Sequence, residues 1–277
     1  MSDQYSPTGF TLLPPVVKNL LIINGLFFLA TFSLSKYGID LEKICGLYYI
    51  KSTQFRPYQF VSYMFIHSDT DIWHIIFNMF ALWMFGYLLE NYWGSKRFLT
   101  FYMFCGIGAA LVQIAMQWWS FTSLETAVST YNSSPGIDSF VAFVNHYPPH
   151  SIQFFEQLKS FLSEWNSNPL NEHYFLLSKD NIFRLYQDQI SVPTIGASGA
   201  VYGILLAFGM TFPNMLVYLY FLVPIKAKWV VIGFGALELF SGLRNNPADN
   251  VAHFAHLGGM FFGLLLILYW KKRPFRG

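Results

Sequence analysis

The hydrophobic positions of this chain fall into long blocks, without strand alternation or heptads, and most of the blocks are the length of a membrane span. The first, residues 16–34, runs for about 19 positions broken only by Lys18, Asn19 and Asn24, enough to cross a bilayer as a helix. A mixed segment at 35–71 carries Gly, Lys and several aromatic residues but no span-length run, which predicts a structured loop at headgroup depth. Two further helices are predicted at 72–89 and 98–118, and the short connection 90–97 makes them antiparallel neighbours. Residues 119–193 are polar, hold three of the seven His and the Pro148-Pro149 pair, and cannot lie in hydrocarbon. A fourth helix is expected from Gly196 to about Phe212. The apolar stretch 215–223 is too short to span and reads as re-entrant or interfacial. Fifth and sixth helices follow at 229–243 and 251–270. The expected fold is an all-α polytopic bundle of six transmembrane helices, with helices 1–3 in 1–118, an insertion of about 75 residues at 119–193, and helices 4–6 in 194–277.

Composition sharpens this picture. Of 277 residues, 54% are hydrophobic and only 12% charged, about half the charged share of a typical soluble domain. The net charge of +2 is small and scattered, so no phosphate-tracking stripe exists and nucleic acid is excluded as a partner; lipid is the expected one. Cys45 and Cys105 are too few for a disulfide scaffold and are expected to be unpaired. Residues 1–15 lack the basic start, apolar run and cut site of a cleavable signal, so the first span is expected to stay. With the N-terminus inside, the cytoplasmic side collects nine of seventeen bases, Lys18, Lys96, Arg97, Lys226, Lys228, Lys271, Lys272, Arg273 and Arg276, beside only Asp3 and Glu90. The positive-inside rule therefore predicts cytoplasmic termini and an extracytoplasmic insertion. The lack of a transit peptide points to a prokaryotic plasma membrane.

Polar residues inside spans are costly, and each is a candidate site. Ser198, in Gly196-Ala197-Ser198-Gly199, opens the fourth helix, where free backbone N–H groups and the positive dipole end would stabilise an anion. The glycines Gly196, Gly199 and Gly203 also suit close approach of two helices. On the sixth helix, His256, Gly259 and Gly263 share one face; an imidazole there, unprotonated at neutral pH, is able to take a proton from a serine. His253 is expected to play only a structural part. On the second helix, His74 and Asn78 stand at i and i+4, two donors facing one point. The predicted orientation puts His74, Ser198 and His256 at one depth, in the outer part of three helices. A packing role requires no such coincidence. The strand-to-helix elbow of soluble serine hydrolases is absent, since Gly directly follows Ser198. Glu238, in the fifth helix, is the one acid deep in a span, too few for a transporter pathway.

These motifs resemble the rhomboid intramembrane serine proteases: His74-x-x-x-Asn78, Gly196-x-Ser198-Gly199 with Tyr202 one turn on, and Ala255-His256-x-x-Gly259-x-x-x-Gly263. The resemblance covers helices 2 to 6. It implies a Ser–His dyad without a triad acid, with Ser198 as nucleophile, His256 as general base, and His74, Asn78 and the Ser198 N–H receiving the oxyanion. It also implies Tyr202 packed against the imidazole, Gly196, Gly199, Gly259 and Gly263 in support, and no metal or cofactor. No Asp or Glu lies near either dyad residue along its own helix. The expected substrates are single-pass membrane proteins whose helix unwinds easily, entering past the fifth helix. Three features depart from the family pattern. Its Trp-Arg pair falls on Tyr58-Gln59, with Phe55-Arg56 nearby; His67 and His74 lie seven apart; and the insertion is long. Within the insertion, Ile152, Phe155, Leu158, Leu162 and Trp165 form a helical stripe expected to pack internally. A competing reading is a non-catalytic rhomboid-like protein that binds membrane clients, against which the presence of both Ser198 and His256 argues.

Overall fold

The structure, a computed structural model, describes residues 11–68, 70–219, 223–244 and 251–272, and it is mostly helical, 76%. The chain divides into two compact units. The first comprises residues 1–47, 57–113 and 194–277, and the second residues 48–56 and 114–193.

In the first unit, α1 spans Pro15–Ser35, with proline at its first position, where no N–H is needed. A loop follows with two short helices, α2 (Leu41–Cys45) and α3 (Gln59–Ser62), and a 3-10 turn at Tyr63–Phe65. Helix α4, Ile72–Trp93, is capped by the Asp71 carboxylate, which accepts from the N–H groups of Trp73 and His74. Gly94 stops it at φ +81° and leads directly into α5, Ser95–Ser133, whose first half belongs to this unit. Then come α9 (Ser198–Thr211), an antiparallel hairpin of β1 (Leu216–Leu219) and β2 (Val223–Lys226), α10 (Ala227–Arg244) and α11 (His253–Lys272). The 215–223 stretch, read from sequence as re-entrant or interfacial, is mostly strand on either side of residues outside the described ones.

Glycine sets the spacing of the central helices. A Cβ on Gly259 of α11 would stand 1.8 Å from the Gly199 carbonyl oxygen of α9, and one on Gly203 would lie 3.0 Å from the Gly259 oxygen. Gly108 of α5 gives room to Phe262, and Gly258 to Val112. The outward faces are apolar: Leu26 and Leu29 of α1, Trp73 and Phe77 of α4, and Leu237 and Leu243 of α10 are all exposed, as lipid contact requires. Among the described residues four helices, α1, α4, α5 and α11, are long and apolar enough to cross a membrane; α9 is a shorter apolar helix. Both cysteines are free.

The start of α1 is held by a carboxylate from α4. Glu90, 2% exposed, accepts from the N–H of Val16 at 2.9 Å and of Val17 at 2.8 Å, and from Ser95 Oγ at 2.6 Å. Glu90→Ala would strand the N–H of a fully buried Val17. Hydrogen bonds to a charged partner contribute about 1.5–3 kcal/mol each, so the variant should lose on the order of 3 kcal/mol, read as a lowered unfolding temperature in detergent. Glu90→Gln, keeping one acceptor, should lose less.

The second unit is built from residues 48–56, the rest of α5, and helices α6 (Ile137–His146), α7 (Ile152–Ser167) and α8 (Glu172–Ile190). The sequence expectation ended the third helix near residue 118. The helix instead continues to Ser133, because hydropathy falls there while nothing breaks the backbone: no Gly or Pro intervenes before Pro135-Gly136, and Thr122, Thr126 and Thr130 each donate to a carbonyl one turn back. The unit has its own apolar core around Tyr131, Phe140, Leu158, Trp165 and Ile182. Of the predicted α7 stripe, Leu158 and Trp165 are buried, Phe155 and Leu162 pack beside them, and Ile152 is exposed. Glu125 accepts from Lys51 at 2.6 Å and from the phenols of Tyr49 and Tyr186. Burial, with that carboxylate alongside, pushes the Tyr49 phenol up to about 12 and Tyr186 upward as well.

Candidate active site

The segment entering α9 is pinned before it reaches Ser198. Leu47 and Thr194 exchange backbone hydrogen bonds at 2.9 and 2.8 Å, and the Gly196 N–H donates to the Tyr63 carbonyl at 2.9 Å. Gly196 has φ +120°, a conformation L residues with side chains rarely adopt, and a Cβ there would press to 3.0 Å from the His74 ring. Glycine therefore lets the His74 imidazole lie against the turn that carries Ser198, the first residue of α9, whose N–H is one of the helix's unpartnered donors.

Ser198 Oγ lies 2.8 Å from Nε2 of His256 on α11. The contact follows from the glycine seam, since Gly199 directly follows the serine and Gly259 stands one turn past the histidine. Tyr202, one turn along α9, stacks its ring on the His256 imidazole, centroids 4.3 Å apart and planes at 10°. His256 is 7% exposed, whereas Ser198 is only partly covered, so the hydroxyl is the more accessible of the two. A hydroxyl bonded to an imidazole that is held flat by a second ring is a nucleophile beside a base.

Of the expected oxyanion donors, His74 borders Gly196. Buried Asn78 donates through Nδ2 to the His74 carbonyl at 2.7 Å, so one of its two amide hydrogens is turned back on its own helix. His67, fully buried in the loop before α4, lies against His74 with ring centroids 5.3 Å apart. Burial, with the His74 ring adding to it, pushes His67 down to about 4, so it is neutral at physiological pH. The loop before α4 is anchored by side-chain bonds to backbone: Tyr58 and Gln59 donate to the Ile44 carbonyl, and Ser62 to that of Cys45.

Two residues here were not placed in the site by sequence reasoning. No acid lies near Ser198 or His256 along its own helix, yet α10 brings Glu238 to the histidine: its Oε2 is 2.9 Å from His256 Nδ1 and 2.6 Å from His253 Nδ1, and its Oε1 accepts a hydrogen bond from the Tyr202 hydroxyl. His253 thus bonds the carboxylate that faces His256. The available signal was the single acid in the apolar helix α10, which must find partners. Glu238, His253 and His256 each offer one atom within 4.8 Å of the others, a donor set suited to a divalent cation of the zinc type, and within it Glu238 and His253 are hydrogen-bonded directly.

The chain is a helical membrane bundle with a serine and histidine paired across a glycine seam, and the sequence comparisons give its family. The family profile described as the Rhomboid domain matches residues 54–122 and 172–273, more than half of the chain. The chain belongs to the rhomboid family and is an integral, multi-pass membrane protein. It is also similar, 35% identical over 85 residues, to an uncharacterized mitochondrial rhomboid protein of Schizosaccharomyces pombe; the match covers 28% of this chain and 22% of that protein's length.

Proposed function

We propose that the protein is an intramembrane serine endopeptidase that cuts single-pass membrane proteins near the outer boundary of the bilayer, with six spans and both termini in the cytoplasm. The 2.8 Å contact between Ser198 Oγ and His256 Nε2 carries the reading. Ser198 Oγ attacks the scissile carbonyl as its proton passes to Nε2, and the carbonyl π pair moves onto oxygen, facing the Ser198 N–H, His74 and Asn78. The tetrahedral intermediate expels the amine, which takes the proton from Nε2. Water then repeats the sequence on the acyl ester and frees Ser198. The protein in lipid vesicles with a single-span substrate should release the substrate's outer part, and Ser198→Ala should not. Equal release by both proteins would remove the proposal and leave client binding as the reading.

A further inference from the structure

We propose that Glu238 is a positioning residue for this pair, so that three helices supply a serine–histidine–glutamate array where the sequence motifs alone describe a dyad. The inference rests on the proteolytic reading above and adds to it the group that sets the state of the histidine.

An ionised carboxylate only accepts hydrogen bonds. The Tyr202 hydroxyl on Oε1 and His253 Nδ1 on Oε2 must therefore each carry a hydrogen, and a lone pair on His256 Nδ1, 2.9 Å from Oε2, would face the anion and be repelled, which favours hydrogen there as well. A neutral imidazole with hydrogen on Nδ1 has its lone pair on Nε2, the atom 2.8 Å from Ser198 Oγ. Glu238 thus selects the tautomer that can act as base. It stabilises the imidazolium once Nε2 has taken the serine proton, and remains ionised itself, because no proton moves along Nδ1. His256 Nδ1 makes no hydrogen bond to the carboxylate despite the 2.9 Å approach. Catalytic hydrogen bonds commonly align only when substrate is bound.

The surroundings fit such a role better than one of holding helices together. Glu238 is 8% exposed on an apolar helix, where an acid is costly, and among the described residues its close partners belong to the catalytic face: His253 and His256 on α11 and Tyr202 on α9, the last also forming the stack that fixes the imidazole. Helix glue would be served equally by a neutral amide.

Glu238→Gln is the discriminating variant. The amide keeps the shape and can accept from Tyr202, but its NH2 donates toward Nδ1 and drives hydrogen onto Nε2, the wrong tautomer. The protein should stay folded and lose about 10²- to 10⁴-fold in kcat, the order of loss that a wrong tautomer causes in a serine–histidine–acid site, while KM changes by less than about threefold. Labelling of Ser198 by a fluorophosphonate should slow in parallel. Glu238→Asp, keeping the charge, should recover much of the rate. Nitrogen NMR on histidine-labelled wild-type protein should place the His256 hydrogen on Nδ1, a readout independent of any variant. Wild-type kcat in Glu238→Gln, or hydrogen on Nε2 of wild-type His256, overturns the inference. If Ser198→Ala cleaves as well as wild type, the proteolytic reading itself has failed, a different result from an active Glu238→Gln beside a dead Ser198→Ala.

Discussion

Ser198→Ala, His256→Ala and the double variant should all fall to the same residual activity, about 10⁴- to 10⁶-fold below wild type in kcat/KM. In the proposed mechanism the two groups form one device. The hydroxyl is a poor nucleophile unless its proton can leave to Nε2, and Nε2 has nothing to activate once the hydroxyl is gone. Losses of groups that act as a unit do not add. What remains would come from substrate binding and from donors such as the Ser198 N–H, which Ser198→Ala leaves in place. Additive losses, with the double variant far below either single one, would mean that the two side chains act independently despite their 2.8 Å separation.

Gly259→Ala should reduce cleavage almost as severely without touching either of the two paired groups. The added methyl would lie 1.8 Å from the Gly199 oxygen and 2.7 Å from its carbonyl carbon, and backbone atoms cannot swing aside as a side-chain tip can. Helices α9 and α11 would have to separate by an ångström or more, carrying Ser198 from His256. A misplacement of that size costs roughly 10²-fold in rate, and overpacking of this kind costs about 1–3 kcal/mol or more. Gly233→Ala is the matched control: a Cβ there meets nothing within 4 Å, so thermal unfolding in detergent and cleavage should both remain close to wild type. Equal behaviour of the two variants would show that the seam does not set the geometry.

Span-length apolar runs made the helices legible, since hydropathy and helix length coincide wherever lipid bounds the chain. They diverged at residue 118, where polar side chains end the hydrophobic run while the Thr122, Thr126 and Thr130 hydroxyls bond within an unbroken helix. The strand pair 216–219 and 223–226 was hidden for a related reason, an apolar run of that length being equally compatible with several backbones. In the site, motif spacing selected Ser198, His256, Tyr202 and the glycines, because each works through neighbours one turn away. Glu238 escaped that logic. It reaches His256 from another helix, and along its own helix nothing in the spacing announces the contact. The glycines carry two meanings at once: they allow close helix contact, and that contact brings the serine and histidine together.

The most direct measurement is the site of covalent capture by a fluorophosphonate on the full chain in detergent or vesicles, mapped by mass spectrometry. The account predicts a single adduct, on Ser198, that forms in wild type and is lost in His256→Ala. No adduct on Ser198, or one that forms as fast without the imidazole, would contradict it.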